Sequence, residues 1–194
     1  LEVVTYLKPK YWAMENVPRV ATVLEEELGL FGRLSKFKEL VTSIIVVDMS
    51  DYGLPQGRKR MIAGNFPEAI LLSYKTKTPK LTLGHVIKSL AKSDVIDPNF
   101  GISIPQKQLT DNIYESPLTD EEARMNRDAK SFHPIYNKMA FPDELDRPSR
   151  TITATCTRVS RESIIIESQT LGKLEYRRLS PRERGVLQSF PITF

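Results

Sequence analysis

The chain has 194 residues, 40% of them hydrophobic and 27% charged, which is the composition of a folded globular protein with room for one large domain or two small ones. Its net charge of +4 suits nucleic-acid binding without requiring it. The one cysteine, Cys156, excludes an intramolecular disulfide framework and a cysteine-based zinc site and points to a reducing compartment, while no run approaches the ~20 apolar residues of a membrane span and no signal-peptide pattern opens the chain.

In chain order, Leu1-Glu2-Val3 begins inside a helical pattern. Tyr11-Trp12-Ala13-Met14 is short, apolar and aromatic, and is expected to be a buried strand. Residues 19–41 carry apolar side chains at helical spacing, with a break near Gly29 and Gly32, so two helices are expected. Residues 43–49 contain Ile44-Ile45-Val46-Val47, a β-branched run that predicts a strand buried on both faces. A turn follows at Asp51-Tyr52-Gly53-Leu54-Pro55, then a strand at Met61-Ile62-Ala63-Gly64. Strand, helix, strand, loop, strand is the texture of one half of an open α/β sheet.

Residues 73–80 are polar, basic and aperiodic, which predicts a linker and a hinge between two structural units. Residues 82–90 form a short amphipathic helix pattern with Thr82 as cap. Residues 94–117 read as loop, and residues 119–130 as a helix opened by Thr119 with Glu122 three places on. Residues 141–150 read as loop, and residues 151–157 and 163–168 as strands. Residues 180–189 open with Ser180-Pro181-Arg182-Glu183, where the serine caps, proline takes the first helical position and glutamate completes a capping box. The chain closes on an apolar cluster at Phe194. Both ends read as truncations, or as one subunit of a split enzyme.

Two constellations carry chemistry. Glu15-Asn16-Val17-Pro18 follows the first predicted strand, where open α/β sheets place ligands. Lifted from water, Glu15 would hold a proton to donate, and Asn16 would fix the loop through backbone hydrogen bonds. Taken alone, Glu15 reads more simply as a loop glutamate. In Gln56-Gly57-Arg58-Lys59-Arg60, strand alternation puts Arg58 and Arg60 on one face and Lys59 on the other. Two adjacent guanidiniums call for a phosphate or a carbonyl-rich ligand, although the motif alone equally describes a solvated basic turn.

Together, and in order, these motifs resemble the DNA (cytosine-5) methyltransferase family. Its ENV tripeptide is matched by Glu15-Asn16-Val17 and its Q-x-R-x-R motif by Gln56, Arg58 and Arg60, with similar approaches at Lys8-Pro9-Lys10-Tyr11 and Asp51-Tyr52-Gly53-Leu54-Pro55. Pro148-Ser149-Arg150-Thr151-Ile152-Thr153 resembles the element that closes the family's target-recognition domain. Arg178-Leu179-Ser180-Pro181-Arg182-Glu183 and Leu187-Gln188-Ser189-Phe190-Pro191 resemble its R-x-L-x-x-R-E and L-x-G-F-P segment. Arg19 and Ser189 stand where the family usually has glycine. The 194 residues contain no Pro-Cys-Gln nucleophile motif, no Gly-rich cofactor loop and no final Gly-Asn motif.

The resemblance implies an α/β fold. Residues 1–78 would be the C-terminal part of a Rossmann-like catalytic methyltransferase sheet. Residues 79–194 would be a small, loop-rich, mostly β target-recognition domain, with a return segment toward the catalytic domain from about residue 176. It implies a fragment or subunit that binds duplex DNA and positions a flipped cytosine for methyl transfer from S-adenosylmethionine, the cofactor being bound mainly by segments outside this chain. Glu15 would protonate or hydrogen-bond nitrogen 3 of the base, Arg60 would hold its carbonyl oxygen and orient Glu15, and Arg58 would sit by the thiolate and the target phosphate. Asn16 and Gln56 would support them. Arg147, Arg150, Thr151, Ile152, Arg158 and Arg161 are the expected DNA contacts, each arginine equally readable as a surface residue.

Cys156, in Thr155-Cys156-Thr157, lacks the preceding proline and is expected to be structural. His85 and His133 lack metal partners, with His133 expected to make a loop contact beside Pro134 and Tyr136. The expected partners are duplex DNA and a complementary methyltransferase subunit or N-terminal segment, in the cytoplasm with the nucleoid and away from membranes. The isolated chain is expected to be inactive. The alternative is a noncatalytic DNA-binding or regulatory remnant of such an enzyme.

Overall fold

In the computed structural model, residues 1–75, 77–97, 100–132, 138–170 and 172–192 are described. The chain divides into two compact units, Leu1–Gly53 with Arg58–Pro79, and Leu54–Gly57 with Lys80–Phe194. The longer crossing from one unit to the other thus falls between Pro79 and Lys80, and the short segment Leu54–Gly57 counts with the second unit.

The first unit is a three-stranded sheet backed by helix. Its elements are α1 (Glu2–Leu7), β1 (Trp12–Asn16), α2 (Val20–Leu28), a 3-10 helix (Ser35–Leu40), β2 (Ser43–Asp48), a second 3-10 helix (Met49–Tyr52), β3 (Lys59–Asn65) and α3 (Glu68–Lys75). The sheet order is β1-β3-β2, and β3 pairs antiparallel with both neighbours. β1 and β2 therefore run the same way on either side of β3, joined through α2. Val20, Leu24 and Leu28 recur every four residues, so α2 lays one apolar stripe on the sheet, where Met61, Ala63 and Phe37 complete the core. The helix stops at Gly29, whose backbone is extended. Glu27 then takes both the backbone amide and the guanidinium of Arg33, closing the turn.

Two expectations for this sheet need correction. β2 is an edge strand, and Val46 is 50% exposed, so its β-branched run is not buried on both faces. β1 alternates: Trp12 and Met14 turn inward, Ala13 and Glu15 outward. Residues 73–75 belong to α3, so the aperiodic stretch is in part helix.

The second unit contains α4 (Leu83–Leu90), β4 (Asp94–Ile96), β5 (Ser103–Pro105), α5 (Asp120–Ser131), β6 (Ile165–Thr170), β7 (Lys173–Arg178) and α6 (Pro181–Leu187). Leu83, Val86 and Leu90 of α4, Ile164 and Ile166 on β6 and just before it, and Leu179, Leu187 and Ile192 near the end form one core. Thr82 caps α4 by accepting from the His85 amide, and full capping boxes open α5 (Thr119, Glu122) and α6 (Ser180, Glu183). Gly84 lies where an added Cβ would come within 2.8 Å of the Leu145 carbonyl oxygen, so α4 packs there by backbone approach.

This unit is mixed rather than mostly β, since it holds three helices beside two hairpins. Residues 94–117 are not all loop, because β4 and β5 pair over three residues each. Residues 151–157 are not a strand. The Thr151 hydroxyl donates to the Gly57 carbonyl and the Thr153 hydroxyl to the Thr155 carbonyl, so side chains occupy backbone acceptors that a ladder would need. Among the described residues no helix is long and apolar enough to cross a membrane.

Candidate functional site

In the first unit, antiparallel pairing brings the end of β1 beside the start of β3. Glu15 stands opposite Ile62, so Arg60 is its diagonal neighbour on the same face. The Nε of Arg60 lies 2.5 Å from Glu15 Oε1, with the arginine side chain 16% exposed and the glutamate 51%. The carboxylate is thus paired and half in solvent rather than lifted from water. Arg60 also donates from Nη1 to the Lys59 carbonyl at 2.7 Å, which fixes the guanidinium's plane. Asn16 Oδ1 accepts from the Val17 amide at 2.9 Å, and the turn continues into α2 through Val20 donating to the Val17 carbonyl.

Arg58 precedes β3 by one residue and is half-buried. Its backbone is held on both sides: the amide donates to Asp48 Oδ1 at 3.2 Å, and the carbonyl accepts from Met49 at 3.0 Å. Among the described residues no hydrogen bond or ion pair holds its guanidinium. One carboxylate, one paired guanidinium and one unpaired guanidinium at a strand end carry net positive charge with directed donors. Such a set of groups has the chemistry to hold a planar ligand through a carbonyl oxygen and an anion beside it.

Gln56, expected to support these residues, counts with the second unit and is a core residue there. It is fully buried and bridges Ser149 in a parallel pair. Pro55 O accepts from Ser149, Gly57 donates to Ser149 O, and Gln56 Nε2 donates to the Leu187 carbonyl at 3.5 Å. Among the described residues the amide oxygen of Gln56 has no hydrogen-bond partner. Thr151 supports the same segment through Gly57.

The expected DNA contacts fall into two groups. Arg150 clamps Asp143 with both donors, at 2.6 and 3.1 Å, and also reaches the Ser163 carbonyl. Arg158 clamps Glu122 at 2.5 and 2.7 Å and donates to the Ser116 and Pro117 carbonyls. The Arg158 guanidinium holds Glu122 down to a pKa of about 2, with the Thr119 amide adding to the effect. Both guanidiniums are engaged in folding the unit. Arg147 is 56% exposed and, among the described residues, pairs with Glu144 alone. Arg161 sits in a turn with no side-chain partner among the described residues. Ile152 is half-buried against the core.

Several contacts with strong roles were not foreseen, although the Glu183 cap itself was expected. Glu183 is fully buried, caps α6 through the Ser180 amide and clamps Arg177 at 2.8 Å twice. Arg182 pairs with Asp111, and Arg178 with Glu115 and the Cys156 carbonyl. The R-x-L-x-x-R-E segment therefore locks α6 to the loop before α5. The capping box was the available signal for Glu183, but its second partner was not visible in the sequence. Lys130 is buried with its ammonium on Asn126 Oδ1 and over the Phe141 ring, and burial pushes its pKa down to about 8.

Cys156 is half-buried and lines a crevice with Ile152, Ile164, Leu179 and Arg184 of about 10 Å³, room for one water and far less than a pyrimidine ring. His85 is exposed on α4, and His133, with Pro134 and Tyr136, lies outside the described residues. Among the described residues no cluster of histidine, cysteine, aspartate or glutamate is arranged to hold a metal.

The C-5 cytosine-specific DNA methylase family model matches residues 1–194. The type II methyltransferase M.MthTI of Methanothermobacter thermautotrophicus is 26% identical over 216 residues, covering 96% of this chain and 57% of that protein. The type II methyltransferase M.XorII of Xanthomonas oryzae pv. oryzae is 31% identical over 99 residues, covering 48% of this chain and 23% of its own length. The chain thus spans little more than half the length of the first of these curated relatives and a smaller share of the second. A family match along the whole chain makes this protein a member of the C-5 cytosine-specific DNA methylase family.

Proposed function

We propose that this chain is the base-positioning and DNA-recognition part of a DNA cytosine-5 methyltransferase, working with a complementary segment or subunit that carries the nucleophile and the cofactor loop. The observation that carries the reading is the Glu15–Arg60 ion pair on the outward face of β1 and β3. A binding remnant has no use for a carboxylate that faces solvent and is oriented by a half-buried guanidinium.

Carbon 5 of cytosine is a weak nucleophile. Addition of a thiolate at carbon 6 makes it enamine-like, and negative charge then develops on the ring. Glu15 holds a proton at nitrogen 3 as that charge builds. Arg60 donates to the carbonyl oxygen at carbon 2 while keeping Glu15 in place. Arg58, whose guanidinium has no partner among the described residues, takes the target phosphate and steadies the incoming thiolate. Reaching a flipped base costs unstacking energy, which contacts to the duplex offset. Of the arginines expected on the DNA, Arg147 and Arg161 are the less engaged among the described residues, which supports a role in such contacts.

The family's methyl donor is S-adenosylmethionine. Among the described residues none forms a glycine-rich loop suited to hold it. The left-handed glycines Gly53, Gly64, Gly101 and Gly172 sit singly at separate places in the chain, and none belongs to a glycine-rich loop opening a helix. The steps above are therefore confined to base and phosphate binding.

The test is tritiated methyl incorporation from S-adenosylmethionine into duplex DNA. The chain alone is expected to give none. The chain with the complementary segment bearing Pro-Cys-Gln is expected to give robust transfer. Incorporation by the isolated chain, or none with the complement, overturns the reading.

A further inference from the structure

We propose that Asp48 is a positioning residue for Arg58, a role that rests on the reading of Arg58 as the phosphate-facing guanidinium. β2 ends at Asp48, opposite Lys59 of β3. Beyond that pair the ladder stops, because the chain turns into the 3-10 helix Met49–Tyr52 and leaves through Gly53, whose φ of 90° is left-handed. The first residue past the ladder on the other strand is Arg58. A single carboxylate oxygen replaces the missing ladder acceptor: Asp48 Oδ1 accepts from the Arg58 amide at 3.2 Å and from the Ser50 amide at 3.1 Å. The Met49 amide answers by donating to the Arg58 carbonyl at 3.0 Å.

The consequence is geometric. Strand alternation puts Arg58 on the face of Arg60 only if the strand path extends one residue beyond Lys59. Asp48 extends it. Without that acceptor the Arg58 amide loses its partner and the Gly57–Arg58 peptide is held only at its carbonyl, by the Thr151 hydroxyl, while Arg60, the second residue of the ladder, opposite Val47, stays fixed. Asp48 therefore sets the spacing between the unpaired guanidinium and the Glu15–Arg60 pair without touching the ligand itself. The carboxylate also caps the 3-10 helix, so the entry and exit of the 49–57 connection are held by one side chain.

Three variants of the full chain separate these roles. Asp48→Asn keeps an acceptor at the same place and is expected to behave as wild type. Asp48→Ser keeps a cap for Ser50 but draws its oxygen back from Arg58. Asp48→Ala loses both contacts. Amide hydrogen exchange is expected to show lost protection at Arg58 in the serine and alanine variants, with Met61 and Ile62 unchanged. Binding of a fluorescent duplex oligonucleotide across a salt series is expected to lose about one phosphate's worth of salt slope in Asp48→Ser, the same as in Arg58→Ala, with no further loss in the double variant. Retained protection at Arg58, or additive losses, overturns the positioning role. If Arg58→Ala leaves the slope unchanged, the reading of Arg58 itself fails, and the functional role of Asp48 with it. A chain unfolded by Asp48→Ala is expected to leave Asp48→Ser folded and informative, and unfolding of both assigns Asp48 to stability alone.

Discussion

Arg60 Nε and Glu15 Oε1 lie 2.5 Å apart on neighbouring strands, in a register where Glu15 faces Ile62 and Arg60 is one step diagonal. The pair is part of the strand ladder, so it exists before any base arrives. With half of the Glu15 side chain in solvent, it adds little to stability, typically under about 1 kcal/mol. On the proposed reading its value lies in orienting a carboxylate. In complemented enzyme, Glu15→Gln and Arg60→Ala are each expected to lower the methyl-transfer rate on the order of a hundredfold or more, and the double variant to fall little further. Thermal melts of both single variants should stay close to wild type. Additive losses in rate would separate the two residues functionally.

Which parts of this arrangement the sequence disclosed follows from the range of the interactions. Caps are local: Thr82, Thr119 with Glu122, and Ser180 with Glu183 act within three residues, and all form as expected. The breaks after α2 are local too. The pairing of β1 with β3 is not, since Glu15 and Arg60 are 45 residues apart in number, and only the order of the motifs connected them. β7 was missed because Lys173, Glu175, Arg177 and Arg178 mask its alternation with charge. Arg150 and Arg158 looked like surface cations because Asp143 and Glu122 reach them through folding, from 7 and 36 residues away. Gln56 looked like part of an arginine motif, yet its side chain is packed under the Leu187 carbonyl 131 residues on.

The Arg177–Glu183 pair leads to a prediction about stability. Glu183 is fully buried, so Glu183→Ala removes a cap and leaves Arg177 without its charge partner. Such a loss costs about 3–5 kcal/mol. Glu183→Gln keeps an acceptor for the Ser180 amide and should cost less. Urea unfolding monitored by circular dichroism reads both. A cost for Glu183→Ala below ~1 kcal/mol would show that α6 is not locked as described.

Lys130 gives stability a pH dependence with a definite sign. Burial lowers its pKa from 10.5 to about 8, with Asp143 opposing and Arg150 adding to the shift, and Cys156 and Glu162 opposing more weakly. Between those two values the unfolded chain carries a proton on this lysine that the folded chain does not, so stability rises with pH across that window and is flat outside it. The rise is on the order of 3 kcal/mol. Lys130→Met should be more stable than wild type near neutral pH, with the advantage vanishing above pH 10.5. Asn126 stays held after the substitution by its bonds to the Glu122 and Arg158 carbonyls. The difference between the two proteins' melting curves across pH isolates this group from the other titrating residues, and a difference that does not change with pH would assign the buried ammonium to packing alone.

The arginines of the second unit separate by what already holds them, and this decides how each should respond in DNA binding. The isolated chain is expected to bind duplex DNA weakly, with affinity falling steeply as salt rises, because each neutralised phosphate releases condensed counterion. Arg147 has one exposed partner, Glu144, and Arg161 has none among the described residues. Substituting either with alanine should lower the salt slope by roughly one and leave the melting temperature unchanged. Arg150 differs. Its removal strands the buried Asp143, which also accepts from the Ile165 amide, and should cost about 3 kcal/mol of stability before any effect on DNA is read. Arg158→Ala should likewise loosen the unit first, since four of its contacts hold Glu122 and the loop ahead of α5. Fluorescence anisotropy over a salt series, paired with thermal melts on the same samples, distinguishes the two groups. A folded Arg150→Ala chain whose salt slope alone had dropped would place Arg150 on the DNA. Unchanged slopes for Arg147→Ala and Arg161→Ala would move the contact surface away from the 147–161 segment.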